Sequence, residues 1–246
     1  MSEFDRSILV AVEGIDGAGK TTQVSLLRDA LRRAGESVVV SKEPTNGEWG
    51  QLIRDSASSG RLSLERELDL FIRDRTQHVA EVIKPALETG NIVILDRYFY
   101  STIAYQGSRG ANVADLNAHM RSLFPLPDAV FILDLDPILS LHRIAYSRGE
   151  EPNHFEEREG LERARSIFNG LGSSEITTVD GSMSSLTVHR TILDAFINGA
   201  LKEKRCAKSY GCNDPFHCCF RLTQNCEWVR IAAQLKKAVE QSPVCA

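Results

Sequence analysis

The stretch from residue 8 to residue 31 constrains the fold more than any other part of the chain. Residues 8–12 form a short apolar run rich in β-branched side chains, and residues 14–21 follow it with the pattern G-x-x-x-x-G-K-T. Residues 22–31 then place apolar side chains on one side of a predicted helix. A strand, a glycine-rich turn and a helix in this order are the context that gives the pattern meaning.

The residue types in this loop suit the binding of phosphate groups. The glycines let backbone N–H groups approach anionic oxygens, and the start of the helix adds the positive end of its dipole. Lys20 can reach the β- and γ-phosphates, and the Thr21 hydroxyl is placed to bind Mg²⁺. An ordinary glycine-rich turn is the alternative, but it does not require all these positions to match. The loop therefore predicts a site for a nucleoside triphosphate.

Composition sets broad limits on the class of protein. The chain has 246 residues, 42% of them hydrophobic, which is enough for one α/β domain of ordinary size and a small addition. The net charge of −4 argues against a mainly electrostatic nucleic-acid binder. No apolar run is long enough to cross a membrane, and the first seven residues show no signal-peptide pattern. A cytoplasmic protein without a membrane partner is the expectation.

Five apolar segments alternate with amphipathic ones along the chain. The predicted strands are residues 8–12, 37–41, 91–95, 129–135 and 175–179. The predicted helices are residues 22–31, 48–58, 63–88 with a kink at Pro85, 114–124, 136–147, 156–171 and 184–201. This alternation is typical of an α/β fold with a mostly parallel five-stranded sheet and helices on both faces.

Charged residues near the predicted strand ends extend the site. Asp96 and Arg97 follow the third strand directly, and the carboxyl ends of strands are where open α/β sheets bind ligands. Asp96 is predicted to orient Mg²⁺ or its waters. Arg97 here and Arg54, on the predicted helix 48–58, carry guanidinium groups that suit bidentate contacts to a phosphate group. The alternatives are an internal salt bridge for Asp96 and Arg97 and a solvated helix position for Arg54.

Several short motifs together resemble the thymidylate kinase family. They are the glycine loop, Glu43-Pro44-Thr45, Phe71-x-x-x-Arg75-x-x-His78, Asp96-Arg97-Tyr98 and Ser101-x-x-x-Tyr105-Gln106-Gly107, and the resemblance covers about residues 7–200. It implies a P-loop kinase fold, phosphorylation of dTMP to dTDP by ATP with Mg²⁺, and a homodimer. It also implies ATP binding by the loop residues Gly14, Asp16, Gly17, Ala18, Gly19, Lys20, Thr21 and Thr22, and catalytic roles for Lys20, Asp96 and Arg97.

The same resemblance assigns the acceptor nucleotide to a set of side chains. Phe71 would stack on thymine, and Arg75, four residues later on the same helix face, would donate to a base carbonyl. Thr102 matches a position near the base, and Tyr105 one close to the deoxyribose, where bulk disfavours a 2′-hydroxyl. Asp16 resembles the family's acidic residue that faces the acceptor. Arg54 and Arg97 complete the predicted dTMP site.

Residues 143–157 resemble the mobile lid of the family, whose basic residues close over the donor phosphates. Gly17 stands where some members carry an Arg in the loop, and members without it supply the cation from the lid. Arg148 is therefore the predicted catalytic cation. Either Arg148 and Arg143 together supply enough positive charge, or the lid works in a different way. His154 stands where the family pattern has Arg, and a neutral imidazole supplies less charge.

The last part of the chain differs in composition from the rest. All six cysteines follow residue 205, and residues 200–246 carry eight Lys/Arg against four Asp/Glu. We therefore predict a kinase domain over residues 1–201 and a small helical extension over residues 202–246. Its cysteines are interpreted as reduced structural residues, a zinc site or disulfides. Residues 227–240 form an amphipathic helix with Trp228, Ile231, Leu235 and Val239 on the face predicted to dock on the body or on a second subunit.

Two other functions stay open on the sequence alone. A kinase of the same architecture can act on another nucleoside monophosphate or on a deoxynucleoside, which has no phosphate for Arg54 and Arg97 to bind. A nucleotide-dependent switch that binds and slowly hydrolyses the triphosphate, with the extension as its effector surface, is the alternative from another class.

Overall fold

Five parallel strands form one sheet at the centre of the molecule. The computed structural model describes residues 6–148, 155–206 and 227–240; at residues 57–59, 148, 155–157, 206, 227, 239 and 240 it describes the backbone alone. The strands are β1 Ile8–Gly14, β2 Val38–Lys42, β3 Ile92–Asp96, β4 Ala129–Asp134 and β5 Ile176–Asp180, in the order β2-β3-β1-β4-β5. Every neighbouring pair is parallel. The predicted α/β class and five-stranded sheet are confirmed, and strand bounds shift by one or two residues.

The helices connect these strands in the expected alternation. They are α1 Lys20–Arg33, α2 Glu48–Ser59, α3 Leu64–His78, α4 Lys84–Glu88, α5 Phe99–Gly107, α6 Val113–Leu123, α7 Pro137–Arg148, α8 Phe155–Gly170, α9 Ser185–Asn198, α10 Ala200–Cys206 and α11 Glu227–Glu240. α9 and α11 each contact both α1 and α10, whereas α5 contacts α3, α6 and α8. All residues of β1 and β3 are buried, on both sides of the pleat, so helices cover both faces of the sheet.

The central strand β1 lies where the chain changes direction across the sheet. The first crossovers lead from β1 to β2 and β3 on one side, and later ones lead to β4 and β5 on the other. Ligands of open α/β sheets bind outside the carboxyl ends of the strands at such a switch point. The loop after β1 and the residues after β3 meet there, because Val12 pairs with Asp96.

The long helix predicted over residues 63–88 is interrupted. α3 ends at His78, a π-helical segment spans Val79–Ile83, and α4 begins at Lys84, with Pro85 in its first turn. Proline has no N–H to donate and crowds the preceding turn, so the wider π turn lies just before it. The expected interruption near Pro85 is present as this π segment.

α5 is a helix that the sequence pattern did not predict. Its residues from Phe99 to Ala104, and Gln106, are buried. A helix that is enclosed on all sides has no polar face, so the 3.6-residue periodicity that reveals surface helices is missing from its sequence.

The closing helix predicted to reach residue 201 ends earlier than expected. α9 stops at Asn198, the chain turns at Gly199, and α10 continues across the predicted domain junction. A Cβ at Gly199 would lie 3.0 Å from the Ala195 carbonyl oxygen, so this close approach suits glycine. Arg205, at the end of α10, is buried and donates hydrogen bonds to Glu36 and to the Arg6 carbonyl.

The amphipathic helix α11 docks on the body of the same chain. Ile231 and Leu235 are fully buried in the main hydrophobic core, and Trp228 Nε1 donates to the Ile197 carbonyl at 2.8 Å. The structure does not describe the cysteine side chains of this chain, which belong to Cys206, to residues 207–226 and to Cys245. The interpretations of these cysteines as reduced, zinc-binding or disulfide-bonded therefore stay predictions. None of the helices in the described ranges combines the length and apolar character needed to cross a bilayer.

Candidate active site

A cavity of about 480 Å³ opens at the carboxyl ends of β1 and β3. Its walls come from the glycine loop, the start of α1, the ends of β2 and β3, and α7. The lining residues are Asp16, Gly17, Gly19, Lys20, Thr21, Thr22, Lys42, Asp96, Arg97, Arg143, Ile144 and Ser147. Most of the loop residues predicted to bind ATP line this cavity, whereas Ala18 is buried beneath it. Gly14 lies against the backbone of Leu133 in β4.

Lys20 is the first residue of α1, and its side chain is almost completely buried. Its Nζ donates to the Ile15 carbonyl at 2.7 Å, which folds the side chain back over the loop. Burial and the nearby Arg97 lower the pKa of Lys20 to about 7, although Asp16, Asp96 and Glu13 oppose this shift. An anionic phosphate beside the ammonium would raise the pKa again, since opposite charges favour the charged form.

Thr21 and Asp96 bring two oxygen donors together at the cavity floor. Thr21 Oγ1 donates to Asp96 Oδ2 at 2.5 Å, and Lys42 Nζ lies 3.9 Å from the same oxygen. Hard oxygen donors of this kind suit Mg²⁺, which proteins hold by one or two carboxylates together with waters and substrate phosphates. In the described ranges, no group of three or more His, Cys, Asp or Glu could hold a metal. The site therefore fits a Mg²⁺ ion whose other ligands are phosphates and waters.

Arg97 has a strained backbone and a side chain fixed at the cavity edge. Its φ of 74° is left-handed, which costs a non-glycine residue about 1–2 kcal/mol. The guanidinium forms a short ion pair with the Asp16 carboxylate and donates to Ser101 Oγ at 3.1 Å. Burial alone would raise the pKa of Asp16, but Arg97 and Lys20 lower it on balance. Strain of this kind accumulates at functional sites, where the surrounding structure offsets its cost.

Tyr105 connects the loop to α5. Its hydroxyl donates to Asp16 Oδ2 and accepts from the Asp16 backbone N–H, both at 3.0 Å. The Arg97 guanidinium lies over its ring, 5.4 Å from the centroid. Asp16, Arg97 and Tyr105, which the sequence analysis assigned to the acceptor, therefore form one contact group at the edge of the cavity.

Arg75 is the centre of a second polar cluster, deeper in the fold. It is only 1% exposed and is bonded to Glu43 through Nε and Nη2 at 2.8 and 2.7 Å. Nη2 also donates to Thr102 Oγ1 at 2.9 Å. Phe71 lies one turn before Arg75 in α3 and is half-buried. The structure thus brings the predicted base-binding residues Arg75 and Thr102 into direct contact.

Arg54 lies in α2, and its side chain contacts the loop that joins β2 to this helix. Its Nη1 donates to the carbonyls of Pro44 and Thr45 at 3.1 and 2.7 Å, and Nη2 donates to Gln51. The residue is only partly buried, and it does not line the cavity described above. Its role toward the acceptor phosphate stays a prediction.

Helix α7 packs directly on the glycine loop. Ser140 Oγ forms a short hydrogen bond with the Asp16 carbonyl, and a Cβ on Gly17 would lie 2.8 Å from the Ser140 carbonyl oxygen. This packing places Arg143 in the cavity wall, and within the described residues its guanidinium has no hydrogen-bond or ion-pair partner. Arg148 is the last residue of α7, but its side chain, like His154, lies outside what the structure describes.

Three residues at or near these clusters were missed or underrated by the sequence analysis. Lys42 ends β2, so the strand-end argument used for Asp96 would have found it. Arg143 was considered only as a companion of Arg148. Gln106 is fully buried in α5 on the same face as Thr102, and within the described structure its Nε2 has no hydrogen-bond partner. Only its place in the Tyr105-Gln106-Gly107 motif marked it.

The parallel sheet, the glycine loop at the start of α1 and the Thr21–Asp96 pair define a P-loop nucleotide-binding protein. A family model described as thymidylate kinase matches residues 12–192. Curated relatives named thymidylate kinase include one from Xanthomonas oryzae pv. oryzae, 49% identical over 80% of this chain and 86% of the relative. Another, from Xylella fastidiosa, is 48% identical over 76% and 88%. The chain belongs to the thymidylate kinase family.

Proposed function

We propose that this enzyme phosphorylates dTMP to dTDP with ATP as the phosphoryl donor. The observation that carries the proposal is the Asp16–Arg97–Tyr105 contact group at the edge of the glycine-loop cavity. Helix α5 carries both Tyr105 of this group and Thr102, which contacts Arg75 in the second cluster. A donor site and an acceptor site with a shared cationic edge are what transfer between two nucleotides requires. The names of the family model and of the curated relatives support the same activity.

The donor triphosphate is proposed to lie along the glycine loop. Loop N–H groups, the start of α1 and Lys20 would hold its phosphates by charge-assisted hydrogen bonds. Thr21 and Asp96 would hold a Mg²⁺ ion, and the chemistry supplied there would be neutralisation of the charge that develops during transfer. Thr21 and Asp96 are the protein residues that fit this ion, because their oxygens already meet at 2.5 Å.

The acceptor phosphate is proposed to bind at Arg97, with Arg54 as a second cation on the same side. Arg97 is held in place by Asp16, Ser101 and the Tyr105 ring, so its guanidinium is preorganised rather than mobile. Fixed donors stabilise charge in the transition state better than flexible ones, because no reorganisation is needed during the reaction.

The thymine base is proposed to lie between Phe71 and the Arg75–Thr102 pair. Thymine offers carbonyl oxygens and one ring N–H, which match donors on Arg75 and an amide on Gln106. The buried, unpartnered Nε2 of Gln106 supports this placement, since a buried donor without a partner costs about 1–3 kcal/mol. Tyr105, beside Asp16, would lie near the deoxyribose and oppose a 2′-hydroxyl.

The lid cation is proposed to come from α7. Arg143 faces the cavity without a protein partner among the described residues, and Gly17 carries no side chain that could supply the charge from the loop. Arg148, the cation predicted from the sequence, ends the same helix and stays a candidate for this role. A homodimer, a cytoplasmic location and a separate role for residues 202–246 also stay proposals.

The decisive experiment is a coupled assay of ADP release with a panel of acceptors. We expect Mg²⁺-dependent activity with ATP and dTMP, weaker activity with other nucleoside monophosphates, and none with thymidine. Preferred turnover of thymidine or of another monophosphate would overturn the proposal, as would ATP hydrolysis without an acceptor.

Lys20→Ala is the matching variant for the donor site. We expect a loss in kcat of about 100-fold or more, the range found when one preorganised donor to the transition state is removed. Lys84→Ala, at an exposed position in α4, is the control and is expected to retain full activity. Full activity of a folded Lys20→Ala enzyme would contradict the assignment of the loop.

A further inference from the structure

Glu13, the sixth residue of β1, is a buried carboxylate that the roles above leave unexplained. It is 0% exposed and does not line the cavity, although it directly precedes the glycine loop. A buried carboxylate is costly unless its oxygens are fully bonded, so its partners indicate what it does.

Both carboxylate oxygens of Glu13 bind the first turn of α5. Oε1 accepts from the Tyr98 backbone N–H at 2.7 Å, and Oε2 accepts from the Ser101 hydroxyl at 2.6 Å. Tyr98 is the N-cap residue of α5, and its own side chain forms no capping hydrogen bond. Glu13 therefore caps this helix from a neighbouring strand, where a negative charge also suits the helix dipole.

Two hydrogen bonds to β1 hold the backbone on either side of the strained residue Arg97. The Arg97 N–H donates to the Val12 carbonyl at 3.0 Å, and the next N–H, on Tyr98, donates to Glu13. Two successive residues of β1 thus hold the left-handed turn from both sides. Ser101 Oγ completes the link, because it donates to Glu13 and accepts from Arg97 Nη1 at 3.1 Å.

We propose that Glu13 is a positioning residue for phosphoryl transfer, which fixes the Arg97 turn through the Tyr98 N–H and the Arg97 guanidinium through Ser101. The inference rests on the proposed function, in which Arg97 binds the acceptor phosphate. Glu13 touches neither nucleotide in this arrangement and acts through Arg97 alone.

Burial and the hydrogen-bond partners of Glu13 have opposite effects on the charge of its carboxylate. Burial raises its pKa to about 7, while Ser101, Arg97, the Tyr98 N–H and Lys20 all act to lower it. The pKa of the Tyr100 phenol is raised mainly by burial, and the negative charge of Glu13 adds a smaller contribution in the same direction. An apolar residue here would avoid this burial cost but would leave the Tyr98 N–H and the Ser101 hydroxyl without their acceptor.

Glu13→Gln is the first test. It keeps the shape of the side chain and one acceptor oxygen, but its amide NH₂ cannot accept the hydrogen bond from the Ser101 hydroxyl. We expect kcat to fall about tenfold, which corresponds to about 1.4 kcal/mol in the barrier, with a several-fold rise in KM for dTMP. KM for ATP should change less than twofold. A merely structural role would reduce the folded fraction and leave both KM values unchanged.

Ser101→Ala removes the link between Glu13 and the guanidinium without touching the carboxylate. If the inference is right, Glu13→Gln in the Ser101→Ala background adds less than a twofold further loss, because both changes break one connection. Asp128→Asn is the control: its carboxylate accepts the Leu9 N–H at 2.8 Å at the opposite end of β1. This control should lose thermal stability and keep its kinetics.

Four outcomes contradict the inference. Glu13→Gln with kcat and both KM values within twofold of wild type would overturn it, and so would fully additive losses from Glu13→Gln and Ser101→Ala. In both cases wild-type activity on dTMP would leave the proposed function intact. A wild-type protein without activity on dTMP would overturn both. Should Glu13→Gln not fold, unchanged kinetics of Ser101→Ala would still contradict the link.

Discussion

Arg75 is bound so firmly to its neighbours that its own substitution would be a poor test of base recognition. Its guanidinium and Glu43 are both almost fully buried, and the cation lies 5.3 Å from the centres of the Tyr98 and Phe124 rings. Removing one partner of a buried ion pair typically costs about 3–5 kcal/mol, because the remaining charge is unpaired. Loss of activity in Arg75→Ala would therefore mix unfolding with recognition.

Phe71→Ala tests the same site with less structural damage. Phe71 is half-buried and lies outside the main hydrophobic core. Loss of base stacking, worth about 1–3 kcal/mol, should raise KM for dTMP about tenfold and leave KM for ATP nearly unchanged. Steady-state kinetics with each substrate varied in turn provide the measurement.

The neighbouring residue Ile72 supplies the control for this prediction, because it packs against the core from the same helix. Ile72→Ala should reduce thermal stability and leave KM for dTMP unchanged. Equal rises in both KM values for Phe71→Ala would contradict a stacking role.

His189 makes the stability of the protein depend on pH. It is 2% exposed in α9, and burial, aided by Arg33, lowers its pKa to about 4. The unfolded chain, with an ordinary histidine pKa near 6.5, binds more protons between these values, so stability is lost as pH falls from about 6.5 to about 4. The shift corresponds to a contribution of about 3 kcal/mol.

The measurement is the free energy of unfolding by urea at several pH values. His189→Gln removes the titration, so the difference between wild type and variant should change across this window and stay constant above pH 7. His119→Gln, at an exposed position in α6, is the control and should follow wild type at every pH. Parallel curves for His189→Gln and wild type would contradict the prediction.

Among the secondary-structure elements, α7 packs directly on the glycine loop at Gly17. Gly17 has a φ of 73°, and a Cβ there would lie 2.8 Å from the Ser140 carbonyl oxygen and 3.2 Å from Ile144. The loop needs glycine at this position for two reasons, conformation and space. This loop position has no room for an arginine side chain, because α7, the helix that carries Arg143, packs directly against it.

Gly17→Ala and Gly35→Ala separate these two reasons. Gly35 follows the C-cap of α1, with a φ of 86° and open space around it, so its substitution adds only strain, about 1–2 kcal/mol. Gly17→Ala should cost more, because α7 must also move away, and it should raise KM for ATP. Thermal unfolding and ATP titration give the comparison. Equal costs and an unchanged KM would show that α7 does not constrain the loop.

For the molecule as a whole, α10 and α11 belong to the packing of the main body. Leu235 and Ile231 lie in the same hydrophobic core as β1 and α1, and the Arg205–Glu36 ion pair ties α10 to the region after α1. The family model ends at residue 192, so this packing involves a part of the chain beyond the family match. Helix α11 is therefore expected to stabilise the fold and to take no part in the chemistry.

Leu235→Ala tests this expectation. Truncating a fully buried leucine typically costs about 2–5 kcal/mol through lost burial and the cavity that remains. The midpoint of urea unfolding should fall, while kcat and both KM values of the folded enzyme stay within twofold of wild type. Lys236→Ala, at the exposed neighbouring position, should leave both stability and kinetics unchanged. A large fall in kcat at full folding would indicate a catalytic role for α11.

Secondary-structure elements that depend on residues adjacent in the sequence were predictable, whereas an element that is buried by distant parts of the chain was not. The five strands were found because β-branched runs between turns need no distant information. α5 was missed since its buried residues show no polar face, and α9 was extended too far because Gly199 weakens a helical pattern without excluding it. Lys42 was overlooked although its position at the end of β2 was predictable.

The glycine loop, the alternation of strands and helices, and the family motifs could be read from the sequence because each depends on residues close together in the chain. The pairings that shape the site could not. Arg97 and Asp16 are 81 residues apart, Arg75 and Glu43 are 32 apart, and Glu13 and Ser101 are 88 apart. The folded sheet places β1 between β3 and β4, and that order decides which buried charges meet. No local pattern encodes such partners, because burial and proximity arise only when the whole chain has packed.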